Sequence, residues 1–267
     1  MNRCFNGLSS VNIELTSRCN KKCWMCGRRK IDRDHPEIAM KYGDMDFKLV
    51  QKLAKQLPSN IDIQFHNNGE PTLYPRLGEA LSLFKTQLKN FDTNGKLIVE
   101  KADEIIGNLD TMTISVIEND DEGKEQYEKV LQFIDLRKEK TPNLIYRLLG
   151  KVDDRHKWEN LPGIVANRIL HNPLGSFKYS KNPTKPEIGI CLEVLHKLCI
   201  DRFGKVSPCV RFDPKRYGVI GDLEKQSLYD IWNGEERRIL VKKHIKGNRD
   251  GNLLCSNCHF WGVPTGD

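Results

Sequence analysis

Val11-Asn12-Ile13-Glu14-Leu15-Thr16-Ser17-Arg18-Cys19-Asn20-Lys21-Lys22-Cys23-Trp24-Met25-Cys26 sets a strand-forming run directly before three closely spaced cysteines. The run itself is Val11 to Leu15. Comparable runs recur at Ile61 to Phe65, Asn90 to Thr93, Met112 to Ile117, Leu144 to Leu148 and Arg168 to His171. Helical patterns lie between them at Phe47 to Leu57, Arg76 to Leu88, Leu97 to Asn108, Gly123 to Lys140 and near Trp158. Asp46 reads as an N-cap and Gly107-Asn108 as a helix stop. Repeated strand–helix units require right-handed crossovers, so the pattern predicts an α/β fold built on a parallel sheet: a partial (β/α)6 TIM-like barrel. Its loops, and with them a functional site, are expected at the strand C-termini, where the cysteines lie.

The chain has 267 residues, 38% hydrophobic and 30% charged, enough for one large α/β core or a core with a small appendage. Its longest apolar runs, such as Leu144 to Leu149, cannot span a bilayer, and no secretory signal opens the sequence. A soluble cytoplasmic protein without a membrane partner is expected. Nine cysteines in such a chain call for metal or catalysis rather than disulfides. A net charge of +7 suits an acidic or phosphorylated ligand, but the basic residues are scattered among 36 acidic ones. No basic run interleaved with aromatics marks a nucleic-acid face, so nucleic acid is not an expected partner.

After Asn172 the composition changes, with Pro173, Gly175, Pro183 and Pro186 interrupting any period. The expected organisation is a core over residues 1–172, a linker over 173–190 and a C-terminal unit over 191–267. In that unit Leu198 to Asp201 and Lys205 to Val210 read as a β-hairpin around Arg202-Phe203-Gly204, followed by a helix from Ser227 to Lys243. Cys191, Cys199, Cys209, Cys255 and Cys258 also lie here. Cys255-x-x-Cys258-His259 formally matches a c-type haem attachment site, but neither an export signal nor an axial ligand set accompanies it. A closed zinc ribbon is a real competitor.

Three thiolates on one short loop can converge on one centre. A four-iron cube held by Cys19, Cys23 and Cys26 keeps one iron open for chemistry, whereas structural zinc needs a fourth ligand, for which the nearest histidine is His35. The C-x3-C-x2-C spacing resembles the signature of the radical S-adenosylmethionine (SAM) superfamily. Asn67-Asn68-Gly69-Glu70-Pro71 at the second strand is similar to that family's Gly-Gly-Glu-Pro element, with Asn at both positions before Gly69. Thr93-Asn94-Gly95 resembles its turn after the third strand.

That resemblance implies a reactive [4Fe-4S] cluster on Cys19, Cys23 and Cys26. It also implies SAM contacts from Asn68, Gly69, Glu70, Pro71, Thr93, Asn94 and Ser115. Met25 stands where the family usually has an aromatic residue, so its backbone is the expected adenine contact. Arg147 on the fifth strand is a candidate for the SAM carboxylate, or else a solvent-facing strand arginine.

The C-terminal segment resembles the auxiliary-cluster extension called SPASM or, shortened, Twitch. This resemblance favours iron–sulfur over zinc and implies a second [4Fe-4S] cluster on Cys191, Cys209, Cys255 and Cys258. Cys199 reads as a buried strand residue and Cys4 as a bystander. In the family, SAM is cleaved reductively to a 5′-deoxyadenosyl radical that takes a substrate hydrogen, with electrons from a flavodoxin- or ferredoxin-type donor. The expected reaction is oxidation of a small sugar-like or phosphorylated molecule. Only 18 residues precede Cys19, too few for a separate leader-binding domain, which weighs against the alternative of a peptide-modifying maturase. A zinc-stabilised interaction module is the non-enzymatic alternative. No general base is legible; His66 is a candidate, or a packed histidine.

Overall fold

Alternation along the strands decides how the sheet is covered. The computed structural model describes residues 4–168, 191–211, 213–250, 252–256 and 258. Among the described residues nine strands form one sheet: β1 (Ser10–Ile13), β2 (Asp62–Gln64), β3 (Leu88–Thr93), β4 (Thr111–Ile117), β5 (Asn143–Leu149), β6 (Ile164–Arg168), β7 (Lys197–Ile200), β8 (Lys205–Ser207) and β9 (Gly221–Asp222). Their spatial order is β6-β5-β4-β3-β2-β1-β7-β8-β9, so the sheet is open, with β6 and β9 as its edges among the described residues. Strands β1 to β6 are all parallel. Between them lie α1 (Gly27–Asp34), α2 (Phe47–Gln56), α3 (Leu77–Ser82), α4 (Ala102–Ile105), α5 (Gly123–Arg137) and α6 (Arg155–Glu159).

One sheet face is apolar. Val11, Ile63, Phe91, Met112, Ile114, Tyr146 and Leu148 join a single core with Val50 and Leu53 of α2, Leu77 and Leu81 of α3, and Val130 and Phe133 of α5. The side chains that alternate with them are polar and bonded across strands. Asn12 donates to Gln64 at 2.9 Å, and Gln64 to Asp92 at 3.2 Å. This polar face, rather than the helix-covered one, is where chemistry can occur.

Most expected elements form. Asp46 caps α2, accepting from the Lys48 N–H at 2.7 Å. The C-terminal hairpin is present, turning at Gly204 with a φ of +80° that suits glycine. Four differences have local causes. The expected Arg76 to Leu88 helix is only α3, because Leu88 already pairs in β3. Leu97 to Asn108 contains only the short α4. The sixth strand begins at Ile164, and the expected continuation to His171 lies outside the described residues, as does the 173–190 linker.

Finally, the expected Ser227 to Lys243 helix is two, α8 (Leu228–Trp232) and α9 (Glu235–Ile245), after α7 (Leu192–His196) and before α10 (Leu253–Ser256). Ser227 and Asp230 close a capping box on α8, and the chain turns at Gly234, where a Cβ would lie 2.7 Å from the Asp230 carbonyl oxygen. The C-terminal segment joins the core sheet directly, since β7 runs parallel to β1 with Ser10 opposite Lys197 and Ile13 opposite Ile200. Among the described residues no helix is long and apolar enough to cross a membrane.

Candidate active site

The three N-terminal cysteines lie on the loop that leaves β1, and the last of them is the N-cap of α1. Helix α1 is too polar to be legible by period; Ile31 is its one buried apolar side chain. The loop is tied down from several sides. Arg28 of α1 donates to the Ser17 carbonyl, Arg29 to the Cys19 carbonyl at 3.1 Å, and Lys21 is paired with Asp120 beyond β4. Trp24 donates its indole N–H to the Glu118 carbonyl at 3.1 Å, which draws the middle of the loop over the end of β4. Half-buried Met25 lies beside it.

The turn after β2 packs backbone to backbone on this loop. Glu70 N–H donates to the Arg18 carbonyl at 2.8 Å, and a Cβ on Gly69 would sit 2.0 Å from the Thr16 carbonyl oxygen. Only glycine allows so close an approach. Glu70 itself is 2% exposed, and its carboxylate accepts four hydrogen bonds: Thr72 N–H at 3.2 Å, Thr72 Oγ1 at 2.7 Å, Thr93 Oγ1 at 2.7 Å and Asn94 N–H at 2.7 Å. Burial raises its carboxyl pKa, and these donors oppose the rise. The side chain expected as a SAM contact is thus already engaged as a strut between the turns after β2 and β3. Pro71 opens the short 3-10 turn that Glu70 caps.

Asn94 points at the cysteine loop, with its amide 2.8 Å from Asn20 Oδ1 and 3.9 Å from Cys19 Sγ. Gln126 was not legible as a site residue. From α5 it donates to the carbonyls of Asn94 at 2.8 Å and Ser115 at 2.9 Å, locking the ends of β3 and β4 together. A polar residue on a helix face otherwise apolar is the signal that could have found it. Ser115 pairs with Arg147 across β4 and β5 on the polar face, and Arg147 bonds Asp92 rather than facing solvent. His66 lies 4.0 Å from Asp92, and burial lowers its pKa, leaving the ring neutral. Asn68 lies against Glu14, a carboxyl with no exposed surface whose pKa burial raises and Asn68 helps to lower.

Removing the Glu70 acceptor should therefore show even without a ligand. The amide introduced by Glu70→Gln would turn one donor toward another, and a buried unsatisfied donor costs about 1–3 kcal/mol. We expect Glu70→Gln to lower the melting temperature of the SAM-free protein by several degrees, read by differential scanning calorimetry. An unchanged midpoint combined with weaker SAM binding would mean that Glu70 acts only as a ligand contact.

Both cysteine groups suit a polynuclear cationic centre by donor chemistry. Burial raises Cys19 and pushes Cys23 up to about 12; Cys26 raises Cys19 further, and Cys26 and Cys19 do the same to Cys23. In the C-terminal segment Cys209 and Cys255 are likewise pushed up to about 12 by burial; Cys191 acts on both, and Cys258 on Cys191 and Cys255. Bound iron offsets that penalty on thiolates. Cys199 is buried in β7, where burial and the neighbouring Cys209 raise its pKa, and Cys4 is exposed. Among the described residues no three His, Cys, Asp or Glu side chains already close around one ion, so donor identity rather than a preformed cage recommends these cysteines.

An open parallel sheet with a three-cysteine loop after its first strand defines a class, and sequence comparison agrees. The family model of the radical SAM superfamily matches residues 13–161, and that of the SPASM iron–sulfur cluster-binding domain matches residues 191–259. The chain belongs to the radical SAM superfamily. It is 24% identical over 265 residues to the S-adenosyl-L-methionine-dependent 2-deoxy-scyllo-inosamine dehydrogenase of Niallia circulans, covering 96% of this chain and 95% of that one. Its fold is similar to that of BtrN in complex with AdoMet and 2-DOIA (TM-score 0.58, 21% identity, 94% and 92% of the two chains). It is also similar to Streptococcus suis SuiB bound to S-adenosylmethionine (TM-score 0.61, 14% identity, 94% and 71%). The two domains imply a [4Fe-4S] cluster with SAM, and auxiliary iron–sulfur binding.

Proposed function

We propose that this chain is a SAM-dependent dehydrogenase of a small sugar-like or phosphorylated molecule. The observation that carries the reading is the near end-to-end similarity to a dehydrogenase, with cysteine groups at both ends of the matched region. Cys19, Cys23 and Cys26 would hold the reactive cluster, and Cys191, Cys209, Cys255 and Cys258 the auxiliary one. When bound, the first cluster and SAM supply reductive carbon–sulfur cleavage and removal of a substrate hydrogen atom.

The chain's own residues position and shield. Asn94 orients the Cys19 thiolate through its amide. Gly69, Asn68 and Pro71 present backbone and amide groups at the end of β2, while Glu70 and Thr93 hold that turn against β3. Ser115 and Arg147 face the same polar surface as SAM contacts, Arg147 with Asp92 fixing its orientation. Trp24 covers the end of β4, beside the Met25 backbone that would meet adenine. Neutral His66 can accept a proton from a substrate hydroxyl. Exposed Lys22, with Arg29 and Lys30 on α1, gives the cysteine loop a basic rim suited to an acidic flavodoxin- or ferredoxin-type donor.

If the second cluster accepts the electron that completes a two-electron oxidation, Cys255→Ala and Cys258→Ala variants will still form 5′-deoxyadenosine but accumulate little oxidised product. Anaerobic assays with chromatographic quantification of both products test this. Equal losses of the two would defeat the electron-acceptor role, as would zinc in place of iron at those cysteines.

A further inference from the structure

Lys21 stands midway between Cys19 and Cys23 in the chain, and the loop folds its ammonium inward. Its side chain is only 4% exposed, whereas neighbouring Lys22 is exposed. The ammonium pairs with Asp120, itself 10% exposed, and lies 3.5 Å from Glu122. Both carboxylates belong to the connection between β4 and α5. There the Glu122 N–H donates to Asp120 Oδ1 at 3.2 Å and the Gly123 N–H to the Asp120 carbonyl at 2.9 Å, which fixes the Asp120 side chain. From Glu122 the contacts return to the cysteine loop. Lys96 pairs with Glu122 at 2.6 Å, the Lys96 N–H donates to Asn94 Oδ1 at 2.9 Å, and the Asn94 amide donates to Asn20 Oδ1 at 2.8 Å. A closed ring of contacts thus holds one cation inside the three-cysteine loop, against carboxylates brought from another part of the sheet.

A buried pair of this kind adds little net stability, because desolvation offsets much of the attraction. It is nevertheless a strong electrostatic fixture, since charges withheld from water are weakly screened. Reduction adds one electron, and with it one negative charge, to a metal centre held by these thiolates. A cation beside them stabilises the reduced form, and a carboxylate opposes it. Burial pushes Cys23 up to about 12; Lys21 is the strongest influence against that rise, and Asp120 acts the other way with less effect. At the cysteines, then, the ammonium outweighs its partner. Arg28, also buried in this region, donates to the Ser17 carbonyl and stacks on Tyr42, a constant background to the pair. We infer that Lys21 sets the reduction potential of the cluster on the three-cysteine loop, with Asp120 and Glu122 as the counter-charges that hold and moderate it. Lys21 is a positioning residue: its charge acts through the cluster. The inference rests on the assignment of that cluster to Cys19, Cys23 and Cys26.

The test is a dye-mediated redox titration of the full chain, reconstituted without oxygen and followed by electron paramagnetic resonance. The centre whose signal changes when SAM is added is the one read, and the other cluster serves as an internal reference. At the potential that half-reduces this centre in the parent, Lys21→Gln should lower its reduced-to-oxidised ratio by about threefold or more, and Asp120→Asn should raise it. Glu122→Gln should raise it by less, because Glu122 is farther from the ammonium and 40% exposed. Combining Lys21→Gln with Asp120→Asn should return the ratio toward the parent value. Each amide can still hydrogen-bond the remaining partner, and iron content identifies the variants that have assembled.

Opposite shifts from the two members of one ion pair are an electrostatic signature, because a loosened loop would move both variants the same way. The inference is overturned if the two shifts share a sign, if neither iron-replete variant shifts, or if the reference cluster moves equally. Should Lys21→Gln fail to assemble, Asp120→Asn and Glu122→Gln decide alone, and a ratio that neither of them raises overturns it. A parent protein that binds iron but gives no signal responsive to SAM would defeat the cluster assignment separately, whatever the variants show.

Discussion

Replacing Cys19, Cys23 and Cys26 together with Ala will abolish 5′-deoxyadenosine formation and remove about half of the bound iron, leaving the charge-transfer absorbance of the other cluster. The physical reason is the open coordination position. Three thiolates on the β1–α1 loop would leave one iron for SAM, whereas the four C-terminal cysteines would occupy every iron of theirs. Loss of activity alone would not discriminate, because a misfolded core also loses it. The expected signature is selective: activity vanishes while one cluster persists. The loop should survive the change, since its anchors are Arg28 to Ser17, Lys21 to Asp120 and Trp24 to Glu118, none of which uses a cysteine side chain. Anaerobic iron analysis, absorbance and product chromatography on the same samples check it. Undiminished 5′-deoxyadenosine from the triple variant would remove these residues from the reaction.

The strands and the cysteine loop were legible because both signals are local. Apolar alternation at Met112 to Ile117 or Leu144 to Leu148 reports burial directly, and three cysteines within eight residues need no partner elsewhere to be recognised. What escaped depends on contacts distant in sequence. Helix α1, Gly27-Arg28-Arg29-Lys30-Ile31-Asp32-Arg33-Asp34, has one buried apolar residue and is held by arginines bonded to the preceding loop. The break between α8 and α9 depends on a close approach at Gly234. Glu70 shows the same limit within the site: its place in the motif identified the turn, but the four donors that engage its carboxylate come from Thr72, Thr93 and Asn94. Gln126 joins strands β3 and β4 from a helix thirty-odd residues beyond Asn94, a link that no spacing rule encodes.

Gly69→Ala is expected to have the second-largest effect, through backbone geometry rather than lost chemistry. A methyl group there would lie 2.0 Å from the Thr16 carbonyl oxygen and 2.9 Å from that of Arg18. Neither neighbour is a flexible side-chain end, so one of the two backbone segments must move. Thr16 lies three residues beyond the end of β1 and is buried, and its neighbour Ser17 is bonded to Gly43. The turn after β2 should give way instead. Its retreat breaks the bond from Glu70 N–H to the Arg18 carbonyl and pulls the Glu70 carboxylate from the donors of Thr93 and Asn94. Overpacking of this kind costs about 1–3 kcal/mol, occasionally more. SAM affinity should fall more than tenfold, which corresponds to ~1.4 kcal/mol. Iron at both cysteine groups should be retained. Gly123→Ala is the matched control: it is the first residue of α5, and its new methyl group would meet nothing nearer than the Asp120 Cβ at 3.9 Å. That variant should bind SAM as the parent does. Equilibrium dialysis of both iron-replete variants decides the matter, and Gly69→Ala retaining parental affinity would show that the turn after β2 does not shape the SAM site.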